Sequence, residues 1–314
     1  MRKLLEISIL SILLIMIVGC STSDDNKNET NEGGKTEQIT ITHELGETDV
    51  PKSPEKIVVF DFGMLDTLDY LDINVTGVPQ VNIPSYLEKY NSDDYENVGS
   101  LKEPDFEQIS KIDPDLIIIS GRQSEMYDEL SKLGPVVYLG VDHTRYMESF
   151  EENIKTIGQI FEIEDKVEAE LEEIEDSITQ LHEKATQSGD NGLIILANDD
   201  KISAYGPNSR FGLIHDVFGV PAVDENIEAS THGMNVSFEY VAEYDPDILY
   251  VIDRSAAIGE EPAAKNIVEN SLMKDTKSLQ NDRITYLNGD YWYLSGGGLI
   301  SMTKMIEEID ASIQ

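Results

Sequence analysis

Asp105-Phe106-Glu107-Gln108-Ile109, running on to Asp113-Pro114-Asp115-Leu116-Ile117, has a second version 132 residues downstream: Ser237-Phe238-Glu239-Tyr240-Val241, running on to Asp245-Pro246-Asp247-Ile248-Leu249. In both, a helix-capping residue (Asp105, Ser237) precedes Phe, Glu and an apolar helical face. Asp-Pro-Asp then breaks the helix, and an apolar run follows that reads as a buried strand. Each strand leads to an arginine, Arg122 or Arg254, again 132 residues apart. A unit that keeps one offset from cap to arginine implies two similar α/β lobes facing each other. The arginines then stand just beyond the C-terminal ends of equivalent strands, where open α/β sheets bind their ligands. A plainer alternative stays open here: Asp-Pro-Asp only ends helices, and the arginines are solvated.

A chain of 314 residues with 40% apolar content is long enough for two ordinary cores. Its net charge of −38 argues against nucleic acid or an anionic membrane surface as the main partner, since both need clustered Lys and Arg, and reads as a solubilising surface. Arginine is scarce, with six residues (Arg2, Arg122, Arg145, Arg210, Arg254, Arg283) against seventeen lysines, so an arginine at a repeat landmark carries weight.

Cys20 is the only cysteine, which excludes disulfides within the chain and Cys-based zinc clusters. It follows Arg2, Lys3, an apolar run over residues 7–18 and Ile17-Val18-Gly19, a pattern that resembles a bacterial lipobox with Cys20 as the lipidated residue; Glu6 is a slight departure. The run is too short and wrongly flanked for a stable membrane span and reads as an export signal. Residues 1–19 are thus expected to be removed, giving a mature formal charge of −39, and residues 20–38 to form a disordered acidic tether. The expected product is a monomer held by lipid on the outer face of the cell membrane.

The N-terminal lobe is expected over residues 39–163. It begins with a hairpin over 39–50 turning near Gly46, then a buried strand at 57–61, a helix from Gly63 to 70 and a strand at 74–78. The polar segment 79–100, with Tyr86, Tyr90 and Tyr95, suits a pocket mouth or an edge cover. A helix at 124–133 and a strand at 135–139 follow the first cassette. Val167, Leu171, Ile174, Ile178 and Leu181 then mark one face of a helix over 164–188, roughly 36 Å long at ~1.5 Å per residue. Lying between the two copies, it reads as a strut that limits lobe motion. The C-terminal lobe, 189–314, holds a helix capped by Ser209, a polar loop with Thr231-His232-Gly233, the second cassette, Tyr291-Trp292-Tyr293 and a closing helix from 299 to 313.

Taken together, the lipobox, acidic tether, doubled Phe-Glu cassette, long joining helix and Tyr-Trp-Tyr-Leu before glycines resemble the substrate-binding lipoproteins of iron-siderophore ABC importers. The likeness is greatest to the catecholate binders of Gram-positive bacteria, the petrobactin type among them. The resemblance implies two Rossmann-like lobes joined by one rigid helix, the class III periplasmic-binding-protein architecture, with a ligand cleft between them. It implies a ferric siderophore as ligand, no resident cofactor, and a permease with its ATPase as partners. Arg122, Arg210 and Arg254 match the arginines that clamp ferric catecholates. His232 and Tyr293 match residues that complete iron coordination when the siderophore offers four donors, and Tyr291 and Trp292 are further pocket candidates. Glu107 and Glu239 match the permease-docking glutamates, although a carboxylate in a helix's first turn is also favoured by the macrodipole.

Rival readings are a haem or cobalamin carrier of the same fold, and an enzyme acting on a small anionic substrate. No Gly-x-Ser-x-Gly elbow, His-Glu-x-x-His or P-loop occurs to support the latter. Five scattered histidines argue against a bare zinc or manganese site.

Overall fold

The computed structural model describes residues 37–314. The leader, Cys20 and nearly all of the expected tether lie outside them. The tether boundary is corrected by its last residue, because Gln38 already opens strand β1 (Gln38–His43), which pairs antiparallel with β2 (Gly46–Pro51).

Both cassettes fold as helix, stop and strand: Phe106–Ile112 leads into β6 (Leu116–Ile119), and Phe238–Tyr244 into β11 (Ile248–Asp253). The first aspartate of each Asp-Pro-Asp ends its helix in the left-handed region, with φ 54° at Asp113 and 45° at Asp245, a conformation that Asp tolerates better than most residues. The second aspartate has a matching long-range job. Asp115 accepts the backbone N–H groups of Glu55 and Lys56, just before β3 (Ile57–Val59), and Asp247 accepts that of Asn191, just before β8 (Gly192–Asn198). Each stop therefore also pins the neighbouring strand. The caps differ: Asp105 accepts from Gln108 N, whereas Ser237 makes no cap bond and its hydroxyl is turned to Glu239.

In the N-terminal lobe, β4 (Gly77–Val78), β5 (Glu96–Asn97) and β7 (Val136–Tyr138) complete a parallel sheet of order β5-β4-β3-β6-β7. In the C-terminal lobe, β9 (Lys201–Tyr205), β10 (Met234–Val236) and β12 (Ile284–Leu287) give the order β10-β9-β8-β11-β12. Strands β8, β11 and β12 are parallel, matching β3, β6 and β7, while β9 runs antiparallel to both its neighbours, β8 and β10. The duplication thus covers three strands per lobe. Some expected elements shrink. Residues 124–133 hold a 3-10 turn (Ser124–Met126) and one α turn (Tyr127–Leu130), and the helix expected after Ser209 is only Leu213–Asp216, with the Ser209 hydroxyl donating to the Gly206 carbonyl instead of capping.

The joining helix is Glu164–Ser188, 25 residues and roughly 37 Å long, burying Val167, Leu171, Ile174, Leu181 and Ala185. It is not the only link. The C-terminal helix Leu299–Ser312 packs on it and on the helix Phe62–Tyr70, so one apolar core runs unbroken through both lobes. A polar junction sits inside that core: Asp66, 0% exposed, accepts N–H groups from Ile300 (3.2 Å) and Ser301 (2.9 Å), and Thr67 Oγ1 accepts from Leu299 N. Burial pushes the Asp66 carboxyl up to about 7, against the pull of these donors at a helix N-terminus. The 79–100 segment joins in. Tyr86 Oη lies 2.9 Å from Asp66 Oδ2 and 2.7 Å from Ser295 Oγ, and Ser85 bonds Asp290, so the segment ties the lobes together.

Candidate ligand cleft

The turn after β6 carries Arg122, and β11 ends at Asp253, whose carboxylate caps the short helix opened by Arg254. Both arginines therefore leave equivalent strand ends as their spacing predicts. Arg210 comes from the loop after β9. Arg122 and Arg210 line one cavity of about 580 Å³ between the lobes; Arg254 lines an adjoining cavity of about 270 Å³ that shares Arg210, Thr231, His232 and Tyr293 with the first. This is the size range of small-molecule sites.

Tyr293 organises the C-terminal wall. Its carbonyl accepts from Arg210 Nη2 at 2.7 Å, its ring centroid lies 4.4 Å from the Arg210 guanidinium, and its hydroxyl accepts from Arg254 Nε at 3.2 Å. Arg254 also donates to Asn198 Oδ1 at 3.0 Å. Burial alone would raise the Tyr293 phenol, but the charges of Arg210 and Arg254 outweigh it and hold the group below its usual range. Burial, then the facing charge of Arg122, pulls the Arg210 guanidinium below its usual value. It nevertheless stays ionised, as arginine does in proteins.

The ion pairs sort the arginines. Arg145 meets Asp142, Glu148 and Glu152 at 3.0–3.5 Å, and Arg283 meets Asp190 at 2.8 Å. Among the described residues no carboxylate pairs with Arg122, Arg210 or Arg254. In a chain with 61 acids, three arginines at one cleft are left with positive charge to spare.

His232 is exposed and lines both cavities. Trp292 borders the cleft but is 5% exposed, its indole N–H donating to Glu308 at 2.7 Å, so it is wall rather than stacking platform. Tyr291 is not brought to the cleft: it packs on Tyr86 with ring centroids 4.9 Å apart. The three aromatics sit in a π-helical turn, Asp290–Leu294, which splits neighbours between different surroundings. Lys102, Asp61, His143, Tyr138 and Tyr146 also line the cavity and were not singled out by sequence. Lys102 is exposed and free of carboxylate partners among the described residues, a fourth cation on the N-terminal wall. Its place shortly before the first cassette gave no periodic signal. Glu107 and Glu239 are both exposed in the first turns of their helices; Glu107 reaches Lys111 at 2.7 Å, and the Ser237 hydroxyl and its own backbone N–H hold Glu239 below the usual carboxylate range. Among the described residues no three His, Cys, Asp or Glu side chains group as they would around a metal ion.

A doubled α/β frame with a rigid link and a cationic cleft is the build of a substrate-binding protein, and the chain belongs to the periplasmic binding protein family, whose model matches residues 57–291. It is 50% identical over 320 residues, covering 100% of both chains, to the petrobactin-binding protein YclQ of Bacillus subtilis. The crystal structure of YclQ superposes with a TM-score of 0.87 at 55% identity, covering 88% of this chain and 99% of that one. The periplasmic catecholate-siderophore binding protein VctP of Vibrio cholerae superposes at 0.84 with 33% identity, over 88% and 100%.

Proposed function

We propose that this protein is the extracytoplasmic receptor of an ABC importer and captures a ferric catecholate siderophore between its lobes. The observation that carries the reading is the set of Arg122, Arg210 and Arg254, which line two adjoining cavities that share Arg210 and have no carboxylate partner among the described residues, while Arg145 and Arg283 are paired. A ferric tris-catecholate carries about three negative charges, and guanidinium offers a permanent charge with forked donors. At ~5 Å and an effective dielectric of ~20, each unit pair contributes ~3 kcal/mol before desolvation. Carboxylates beyond ~8–10 Å are largely screened, so the local clamp outweighs the global acidity. The names of YclQ and VctP support the same ligand class. Iron arrives as cargo with its own donors. For a four-donor chelate, His232 and Tyr293, which both line the two cavities, would supply the remaining ligands, phenolate being a hard oxygen donor suited to ferric iron.

The test uses Trp292, the single tryptophan, as reporter. Titration with ferric catecholates, apo-siderophore, ferric hydroxamates, haem and cobalamin is expected to change its emission selectively for the first; an equal response to all, or to haem alone, would replace this reading with a carrier of another ligand.

In this reading lipid on Cys20 anchors the chain at the outer face of the membrane; no helix among the described residues is long and apolar enough to cross one. Glu107 and Glu239, one exposed carboxylate per lobe at equivalent positions, dock the permease. Glu107→Ala combined with Glu239→Ala is expected to abolish uptake of labelled ferric siderophore by cells while leaving its Kd for the purified protein unchanged. Normal uptake by the double variant would remove the docking role.

A further inference from the structure

We propose that His143 is a further ligand-contacting residue, which presents a neutral N–H donor to the chelate from the N-terminal wall and helps set which chelates the cleft accepts. The proposal rests on the ferric catecholate reading above.

His143 lies in the turn His143–Arg145 and lines the 580 Å³ cleft. It also borders a more open groove of about 900 Å³, which shares Tyr138, Gly140 and Val141 with the cleft, so the imidazole stands where the two spaces meet. Nδ1 is buried and has no hydrogen-bond partner. A buried donor without a partner is the more damaging choice, so the neutral ring carries its proton on Nε2 and leaves the Nδ1 lone pair in the dry side. Nothing among the described residues takes the Nε2 proton. An imidazole that lines the cleft beside Arg122, Arg210 and Lys102, with one nitrogen sealed off and the other unclaimed, can give a hydrogen bond to an anionic guest.

The surroundings keep the ring neutral. Burial, then the charge of Arg210, pushes His143 down to about 4, while Asp142 pulls the other way. Its ring leans on Tyr146, with centroids 6.3 Å apart, which restrains its swing. His143 therefore adds direction rather than charge. Arginines and Lys102 attract any compact polyanion; a single fixed donor on the N-terminal wall responds to where the chelate's oxygens lie.

Three variants and one spectrum test this. His143→Phe removes the donor and is expected to weaken binding of a ferric catecholate roughly 10- to 100-fold, as for loss of a hydrogen bond to a charged group. His143→Gln, whose amide nitrogen reaches the place of Nε2, is expected to stay within about 3-fold of wild type. Arg122→Gln serves as the control for the underlying reading. If wild type binds and Arg122→Gln weakens it while His143→Phe binds as wild type, the role of His143 is overturned and the clamp stands; if wild type does not bind ferric catecholates, the reading itself fails. Should His143→Phe not fold, ¹H–¹⁵N long-range correlation spectra of wild type decide, using the diamagnetic gallium(III) catecholate as probe. The Nε2–H tautomer and a shift of Nε2 on adding gallium chelate are expected, and an unmoved Nε2 resonance overturns the proposal.

Discussion

Arg210→Gln is expected to weaken capture of a ferric tris-catecholate by roughly two to three orders of magnitude, the largest loss of any single cleft substitution. The guanidinium is largely buried, is already oriented by the Tyr293 carbonyl and ring, and has no carboxylate to neutralise it. Its removal deletes about 3 kcal/mol of attraction at ~5 Å together with forked donors, and each ~1.4 kcal/mol is tenfold in Kd. Arg122, exposed to water, is expected to matter less. The unliganded protein behaves differently. Relief of the repulsion from Arg122 offsets the lost hydrogen bond and ring contact, so the denaturant midpoint of Arg210→Gln is expected to lie within about 1 kcal/mol of wild type. Calorimetry of binding and urea unfolding of the same preparation check both halves; unchanged affinity would remove Arg210 from the site.

Gly298→Ala is expected to be the most damaging small substitution for stability, by about 3–5 kcal/mol. Gly298 has an extended backbone that any residue adopts (φ −103°, ψ 168°), so space decides. A Cβ there overlaps the Gly63 carbonyl and the Asp66 carboxylate, the latter joining the helix Phe62–Tyr70 to the start of Leu299–Ser312. Neither neighbour can yield: one is backbone, the other a buried carboxylate held by two N–H groups. At ~2–4 °C per kcal/mol for a protein of this size, Tm falls by roughly 6–20 °C. Gly189→Ala makes the contrast, since nothing lies within 4 Å and only its left-handed φ of 69° is strained, with a loss of about 1 kcal/mol. Thermal unfolding of the pair measures the difference, and equal losses would mean that the junction is soft.

What could be read from the chain alone was what is local. The cassette helices, the Asp-Pro-Asp stops and the joining helix depend on residues close in sequence, and their bounds fell within a residue or so of expectation. Arg122 and Arg254 were legible because a repeat fixed their offset, and Arg210, His232 and Tyr293 because of family resemblance. Long-range partners left no such trace. That Asp115 and Asp247 hold the ends of neighbouring strands depends on sheet order, and the antiparallel β9 breaks the repeat. Nothing in 79–100 announced that Tyr86 would reach Asp66 and Ser295. Lys102 and His143 join the cleft only because the loops after β5 and β7 converge on it. Resemblance singled out Tyr293 but kept Tyr291 as a pocket candidate; a five-residue π turn sends Tyr291 to Tyr86 and Tyr293 to the arginines.

The apolar core shared by the two halves bears on how cargo leaves. With the joining helix, the closing helix and the Asp66 junction all crossing the waist, the molecule has little hinge of its own with which to let go. In the proposed reading, a guest clamped by Arg122, Arg210 and Arg254 leaves the undocked receptor slowly, and release falls to the permease that bears on both rims.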